Sequence, residues 1–205
     1  MGALRPDDRA VREIEDALQT AERSGDDLAL TFTRLILGVA LVYRPTAADR
    51  SRGQKLLAEV REAFLRRGHN LGHLPMVNVY LARERARRGD RDSPIPLMHT
   101  AVDHLFREGR LLTWGIPATG ALVETLLDRG TNADVAEAEA AITRLADAPA
   151  EDGLVMREIW LLRLRALLTQ AHGDDTTYRD YRDRYRDMAT LLGFEGHIDW
   201  AEAMP

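Results

Sequence analysis

The sequence predicts an all-α fold: a right-handed α-solenoid of about four helical hairpins, with a leading helix and a short C-terminal helix. Three observations predict it. Every long segment carries apolar residues at helical spacing, and no window shows sustained two-residue alternation flanked by hairpin turns. The first helices of successive pairs close at Arg44, Gly89, Gly130 and Gly173, which lie 45, 41 and 43 residues apart. Three of these points open similar short turns: Gly89-Asp90-Arg91-Asp92, Gly130-Thr131-Asn132-Ala133-Asp134 and Gly173-Asp174-Asp175. A single hairpin cannot bury its own apolar face, so units recurring at this interval are expected to stack on one another.

The elements follow in order. Asp7 or Asp8 caps a leading helix whose face is Val11, Ile14, Ala17, Leu18 and Ala21, closing at Ser24-Gly25. The next helix, about 27 to 44, is apolar nearly all round (Leu28, Leu30, Phe32, Leu35, Ile36, Leu37), which predicts a helix sandwiched between others. Pro45 and Thr46 end it. A helix to Arg67 turns Leu56, Leu57, Val60, Phe64 and Leu65 inward and closes at Gly68. These two make the hairpin 27–68.

The hairpin 72–109 organises the rest. Its first helix, Leu74 to Arg88, has Pro75 in the first turn, where a missing N–H does no harm, and ends at Gly89. Its second is capped by Asp92 or Ser93, carries Pro94 and Pro96 in the first turn, and runs through Ile95, Met98, Val102, Leu105 and Phe106 to Gly109. The hairpin 114–149 opens at Trp114-Gly115-Ile116-Pro117, closes its first helix at Gly130, restarts at Asn132 or Asp134, and buries Val135, Ala138, Ile142 and Leu145. The hairpin 154–193 pairs a helix apolar on most sides (Val155, Ile159, Trp160, Leu161, Leu162, Leu164) with one capped by Asp174 or Asp175. On that last helix Tyr178, Tyr181, Tyr185 and Met188 form a single stripe. The aromatics alternate with Arg and Asp, and the arrangement predicts a core face with external ion pairs such as Asp180 with Arg184. Ile198 and Trp200 predict that the C-terminal segment docks. No Pro-, Ser- or Gly-rich linker divides the chain, and it reads as one helical-repeat domain over residues 1–205.

Composition narrows the function. Apolar residues are 45% and charged residues 30%, as in a soluble helical protein, and the net charge of −5 gives no attraction to nucleic acid or to an anionic membrane. The absence of cysteine excludes disulfides, thiol nucleophiles and thiolate metal sites, and fits a cytoplasmic location. Residues 1–8 lack the apolar core of a signal peptide, and Pro6 stands where a myristoylation motif needs Ser or Thr. The most apolar window, Leu28 to Tyr43, is shorter than a membrane span needs and carries Arg34.

The candidate chemistry is sparse. His69 and His73 have the i, i+4 spacing of helical zinc ligands, but Gly68, Gly72 and Pro75 around them disfavour a helix, and no third ligand is near. His99 and Asp103 share a helix face beside His104, a spacing at which a carboxylate can orient a general base. No nucleophile or glycine-rich loop accompanies them, so an exposed helical pair is the favoured reading and a helical enzyme using His99, Asp103 and His104 the alternative. The run Arg83-Glu84-Arg85-Ala86-Arg87-Arg88 lies at a helix C-terminus, where cations suit the dipole; it reads as a solvated face or a docking patch for an acidic segment. No phosphate-binding glycine motif occurs, and no cofactor or metal is expected. In a solenoid the ligand surface is the concave one, lined by the first helix of each pair. That nominates Asn78, Arg85 and Trp114 as binding residues.

The pattern Tyr80…Ala86…Gly89-Asp90…Ile95…Leu97…Ala101 is tetratricopeptide-like, although the period exceeds the 34 residues of that repeat and its Trp/Leu-Gly/Tyr signature is degraded. The runs Leu71–Asp90, Gly115–Gly120 and Leu192–Pro205 resemble the C-terminal helical-repeat region of actinobacterial regulators. Those join a class III adenylate/guanylate cyclase domain to an AAA-type (STAND) ATPase, sometimes with a LuxR-type DNA-binding domain. The resemblance covers nearly the whole chain. It implies a non-enzymatic sensor or interaction scaffold whose partner is a protein or peptide, including a cyclase or ATPase domain acting in cis or in trans. A stand-alone adaptor binding a peptide or small ligand is the alternative. The catalytic carboxylates of such a cyclase and the Walker motifs of such an ATPase have no counterpart here, so no catalytic residue carries over.

Overall fold

The computed structural model describes residues 2–68, 70–90, 92–149 and 154–204. His69 and Arg91 lie outside the described residues. Ten α-helices and no strand occur among those described: α1 (Asp8–Ser24), α2 (Asp27–Val42), α3 (Ala47–Arg67), α4 (Leu74–Arg87), α5 (Pro94–Arg107), α6 (Ile116–Arg129), α7 (Asn132–Asp147), α8 (Val155–Ala171), α9 (Asp175–Leu192) and α10 (Glu195–Glu202). The all-α class expected from the periodicity is therefore observed. The chain divides into two compact units, residues 6–101 and residues 2–5 with 102–204.

Local chemistry explains the helix limits. Asp7, Asp26, Thr46 and Asp174 each accept a backbone N–H of the first turn through the side chain, meeting donors that have no intrahelical partner. Gly89, Gly130 and Gly173 adopt left-handed φ of 98°, 74° and 72°. This conformation is cheap only without a Cβ, which is why glycine recurs where the chain reverses. The cap of α7 differs from expectation. It is Thr131, not Asn132 or Asp134, and Asp134 is instead the third helical residue, closing a reciprocal capping box.

In the unit 6–101, α2 packs between α1, α3 and α4. Val11, Leu37 and Leu41 form a core seam, flanked by Ile14, Leu18 and Leu56. The α2–α3 crossing is close because Gly38 faces Gly53; a Cβ on Gly53 would stand 2.7 Å from the Gly38 carbonyl oxygen. Arg67 ties the end of α3 to Asp27 at the start of α2 (2.6 Å), as antiparallel neighbours allow. The expectation of all-round burial for α2 fails at Leu28 and Ile36, which are about half exposed, and Leu65 of α3 also points outward.

In the other unit the central helix is α6. It is buried from Ile116 through Val123 and packs on α7 and α8. Its interior is made of small residues, Ala118, Thr119, Gly120 and Ala121. The Trp160 ring of α8 occupies the space that a Gly120 Cβ would need, 2.2 Å from Cζ3. Buried Thr119 and Thr125 satisfy their hydroxyls on the carbonyls of Gly115 and Ala121. A five-residue π turn, Leu111–Gly115, leads into α6. The segment after α9 does dock, as α10.

Candidate functional site

Asn78 and Arg85 lie seven residues apart on α4 and so share a face. Asn78 is half-buried, and its Oδ1 accepts a hydrogen bond from Arg61 Nε of α3 at 3.0 Å. Arg85 is exposed and donates to Asp90 (2.9 Å) and to Ser93 Oγ (3.0 Å), bracing the turn between α4 and α5. Hydrogen bonds from Ser93 first, and from Arg85 next, hold the Asp90 carboxyl below the ordinary carboxylate range. Trp114 belongs to the other unit, where it is half-buried in the π turn before α6 and does not open a regular helix as expected. The structure thus joins Asn78 and Arg85 on one helix face and places Trp114 in a separate body.

The candidates for chemistry are engaged elsewhere. The Asp103 carboxylate is taken by Arg144 of α7, whose guanidinium also lies over the Phe106 ring, 4.2 Å from its centroid. Asp103 is exposed, while His99 and His104 are half-buried. His73 wedges against the rings of Phe32 and Phe64, with centroids 5.1 and 5.9 Å away. No group of three metal-ligating side chains occurs among the described residues. The aromatic stripe of α9 behaves as a core face, with Tyr178 and Tyr185 buried and Asp180 paired to Arg184 at 3.2 Å.

The basic run is solvated only in part: Arg85, Arg87 and Arg88 are exposed, as a solvated face requires, and its first two residues are not. Arg83 and Glu84 are buried, and the Arg83 guanidinium lies 5.1 Å from the Tyr43 ring centroid. The Glu84 carboxylate receives Arg87 at 2.7 Å and Arg50 at 3.8 Å, and Arg87 also donates to the Val42 carbonyl. The Tyr43 and Tyr80 hydroxyls meet at 3.2 Å. Sequence reasoning missed this polar cluster, although a signal existed: the helical period that puts Val79 and Tyr80 in the core carries Arg83 and Glu84 onto the same sector.

A second polar cluster lies in the unit containing α6. Arg163 of α8 pairs with Glu124 of α6 (2.8 Å), both largely buried, and its guanidinium lies 5.1 Å from the Trp200 ring centroid. Tyr185 Oη meets His197 Nδ1 at 2.8 Å. Burial pushes the Tyr185 phenol above its ordinary range, against the opposing pull of Arg163. His197 is fully buried among Trp160, Trp200 and Phe194. These groups hold one another. What the described residues define is an all-α fold. No protein-family model, no curated protein and no solved structure matches the chain.

Proposed function

We propose that this chain is a non-enzymatic interaction or sensor scaffold, a right-handed α-solenoid of about four tetratricopeptide-like hairpins resembling the repeat arm of a cyclase/ATPase regulator. One observation carries the reading. Helices of similar length alternate with short turns, and the closing glycines Gly89, Gly130 and Gly173 recur at nearly constant intervals in the same left-handed conformation. The Asp103 carboxylate is paired with Arg144 at the surface, and the buried carboxylates Glu84 and Glu124 are paired with arginines, which favours a binding role over an enzymatic one. The partner is a protein or peptide segment, with Asn78 and Arg85 on one face of α4 as one candidate contact and Trp114, in the other unit, as a separate one. A cyclase or ATPase domain, in cis or in trans, is the foremost candidate. Neither nucleic acid nor membrane is a direct partner, and the cytoplasm is the expected location.

Two measurements test this. An immunoblot of the native product reads the context. A species several times larger than 23.0 kDa supports a sensor arm in cis, and one near that mass supports a free adaptor. The second measurement is the affinity of a partner identified by cross-linking, for the wild-type chain and for the variant N78A/R85A/W114A. Truncating a groove's aromatic and arginine anchors is expected to weaken binding about tenfold or more. Unchanged affinity in a variant with wild-type circular dichroism would exclude this surface.

A further inference from the structure

The shortest helix is capped by a distant part of the chain. Phe194, the N-cap of α10, offers no side-chain acceptor to the first turn. Two of the orphan donors are met instead by the N-terminal segment: Glu195 N donates to the Ala3 carbonyl at 3.2 Å, and His197 N donates to the Gly2 carbonyl at 2.9 Å. Gly2 lies against the His197 ring with φ +84°, and a Cβ there would stand 2.4 Å from Cδ2 and 2.9 Å from Trp200 Cζ3. Gly196 opposes it from the helix; its Cβ would meet the Gly2 and Leu4 carbonyl oxygens at 2.9 Å. Three residues after Gly2, Arg5 Nη2 reaches Asp199 Oδ1 at 2.6 Å.

From this geometry we infer that the face of α10 formed by Gly196, His197, Asp199 and Trp200 is a peptide-recognition groove for a Gly-x-x-Arg segment, with residues 2–5 of this chain as its resident ligand. Each part of the segment is read by a different force. Steric exclusion against His197 and Trp200 demands glycine, paired carbonyls complement the helix N-terminus, and Asp199 selects a cation. The floor does not depend on the ligand, because Tyr185 and the Trp160 ring hold His197 from beneath. The resident segment buries no large apolar anchor of its own; Leu4 is 78% exposed. Such a ligand is held by its tether as much as by its contacts, since the linked segment has an effective concentration in the millimolar range. A free peptide of the same sequence therefore binds only when residues 2–5 are gone. This holds whether or not the chain is a sensor arm.

The test titrates a peptide spanning residues 2–8 into a chain that starts at Pro6 and, in parallel, into the full chain, by calorimetry and amide hydrogen exchange. The expected result is one site on the shortened chain and none detectable on the full chain. Protection should return at the Glu195 and His197 amides, and a peptide carrying Gly2→Val should bind about tenfold or more weakly. Absence of binding to a shortened chain whose Ala203 amide stays protected, or equal binding of the two peptides or to the two chains, would overturn the proposal. Should shortening melt α10, the full chain decides. Asp199→Arg must lower protection of the Glu195 and His197 amides about threefold or more, and Arg5→Asp must restore it. No change on Asp199→Arg refutes the groove.

Discussion

Replacing Asp134 by alanine perturbs one carboxylate that serves four donors. Its oxygens accept Arg129 Nε (2.9 and 3.0 Å) and Nη2, the Thr131 backbone N–H (3.0 Å) and the Thr131 hydroxyl (2.7 Å), and the residue is fully buried. Losing half of a capping box costs about 1 kcal/mol. Arg129 loses a charge-assisted partner, worth about 1.5 kcal/mol here because its side chain is 23% exposed and can rehydrate. Together these come to about 2.5 kcal/mol, or roughly 12 °C in melting temperature for a unit of this size. Tryptophan fluorescence is the appropriate assay, because Trp114, Trp160 and Trp200 all fall in residues 102–204, the unit that contains Asp134. pH provides an independent check. Arg129 first, then Thr131, hold the Asp134 carboxyl well below the usual carboxylate range, against the penalty of burial. A group depressed in the folded state contributes stability above its unfolded pKa of about 3.9, and that contribution is lost as pH falls toward the folded value. Asp134→Asn should therefore flatten the acid limb of the stability profile below about pH 4. An alanine variant within about 1 kcal/mol of wild type, or an asparagine variant with an unchanged acid limb, would refute the reasoning.

Two glycine substitutions test packing, and in both the sign is diagnostic. In an exposed helix interior Gly→Ala gains about 1 kcal/mol. Gly53→Ala should instead destabilise the unit 6–101 by about 1–3 kcal/mol, because the new Cβ meets the Gly38 carbonyl oxygen and Leu41 Cβ, and neither can swing away. Thermal unfolding by far-ultraviolet circular dichroism reads it, and a raised midpoint would dismiss the close α2–α3 crossing. Gly120→Ala should displace the Trp160 ring and lower the stability of its unit by about 1–3 kcal/mol. The near-ultraviolet tryptophan signal should change with it, and an unaltered signal at unaltered stability would contradict the α6–α8 contact.

Helix class and most turns were legible because their causes are local. Periodicity writes the buried face, and Asp, Thr and Gly write the ends, so the limits of α2, α3 and α4 fall within two residues of those read from the sequence. What was not legible depended on contacts between helices. Leu28, Ile36 and Leu65 have core composition but stay partly in water, since no neighbour covers them. The centrality of α6 was missed for the opposite reason. Alanine, glycine and threonine read as neutral in a hydrophobicity pattern, yet small side chains are what let a helix be surrounded closely, as the Trp160 ring over Gly120 shows.

The same asymmetry governs the candidate site. Polar residues were judged by what chemistry they could perform, but a side chain's environment is set by its helix sector and not by its type. The sector of α4 that holds Val79 and Tyr80 also carries Arg83 and Glu84, so the start of the run read as solvated is buried, and Glu84 draws in the partly exposed Arg50 and Arg87. Arg85, one residue further on, turns outward and pairs locally with Asp90. A buried carboxylate held by two guanidiniums specifies how helices meet more than it stabilises them, because desolvation offsets much of the Coulombic gain. Of the three only Glu84 is buried, so the network is sensitive to loss of its arginines, whereas Arg50 and Arg87 can rehydrate if Glu84 is removed. On the proposed reading, recognition therefore falls to helix ends and turns, where backbone donors are met by other segments instead of by the helix's own carbonyls. The α10 groove is such a place, and it holds a segment of the chain itself.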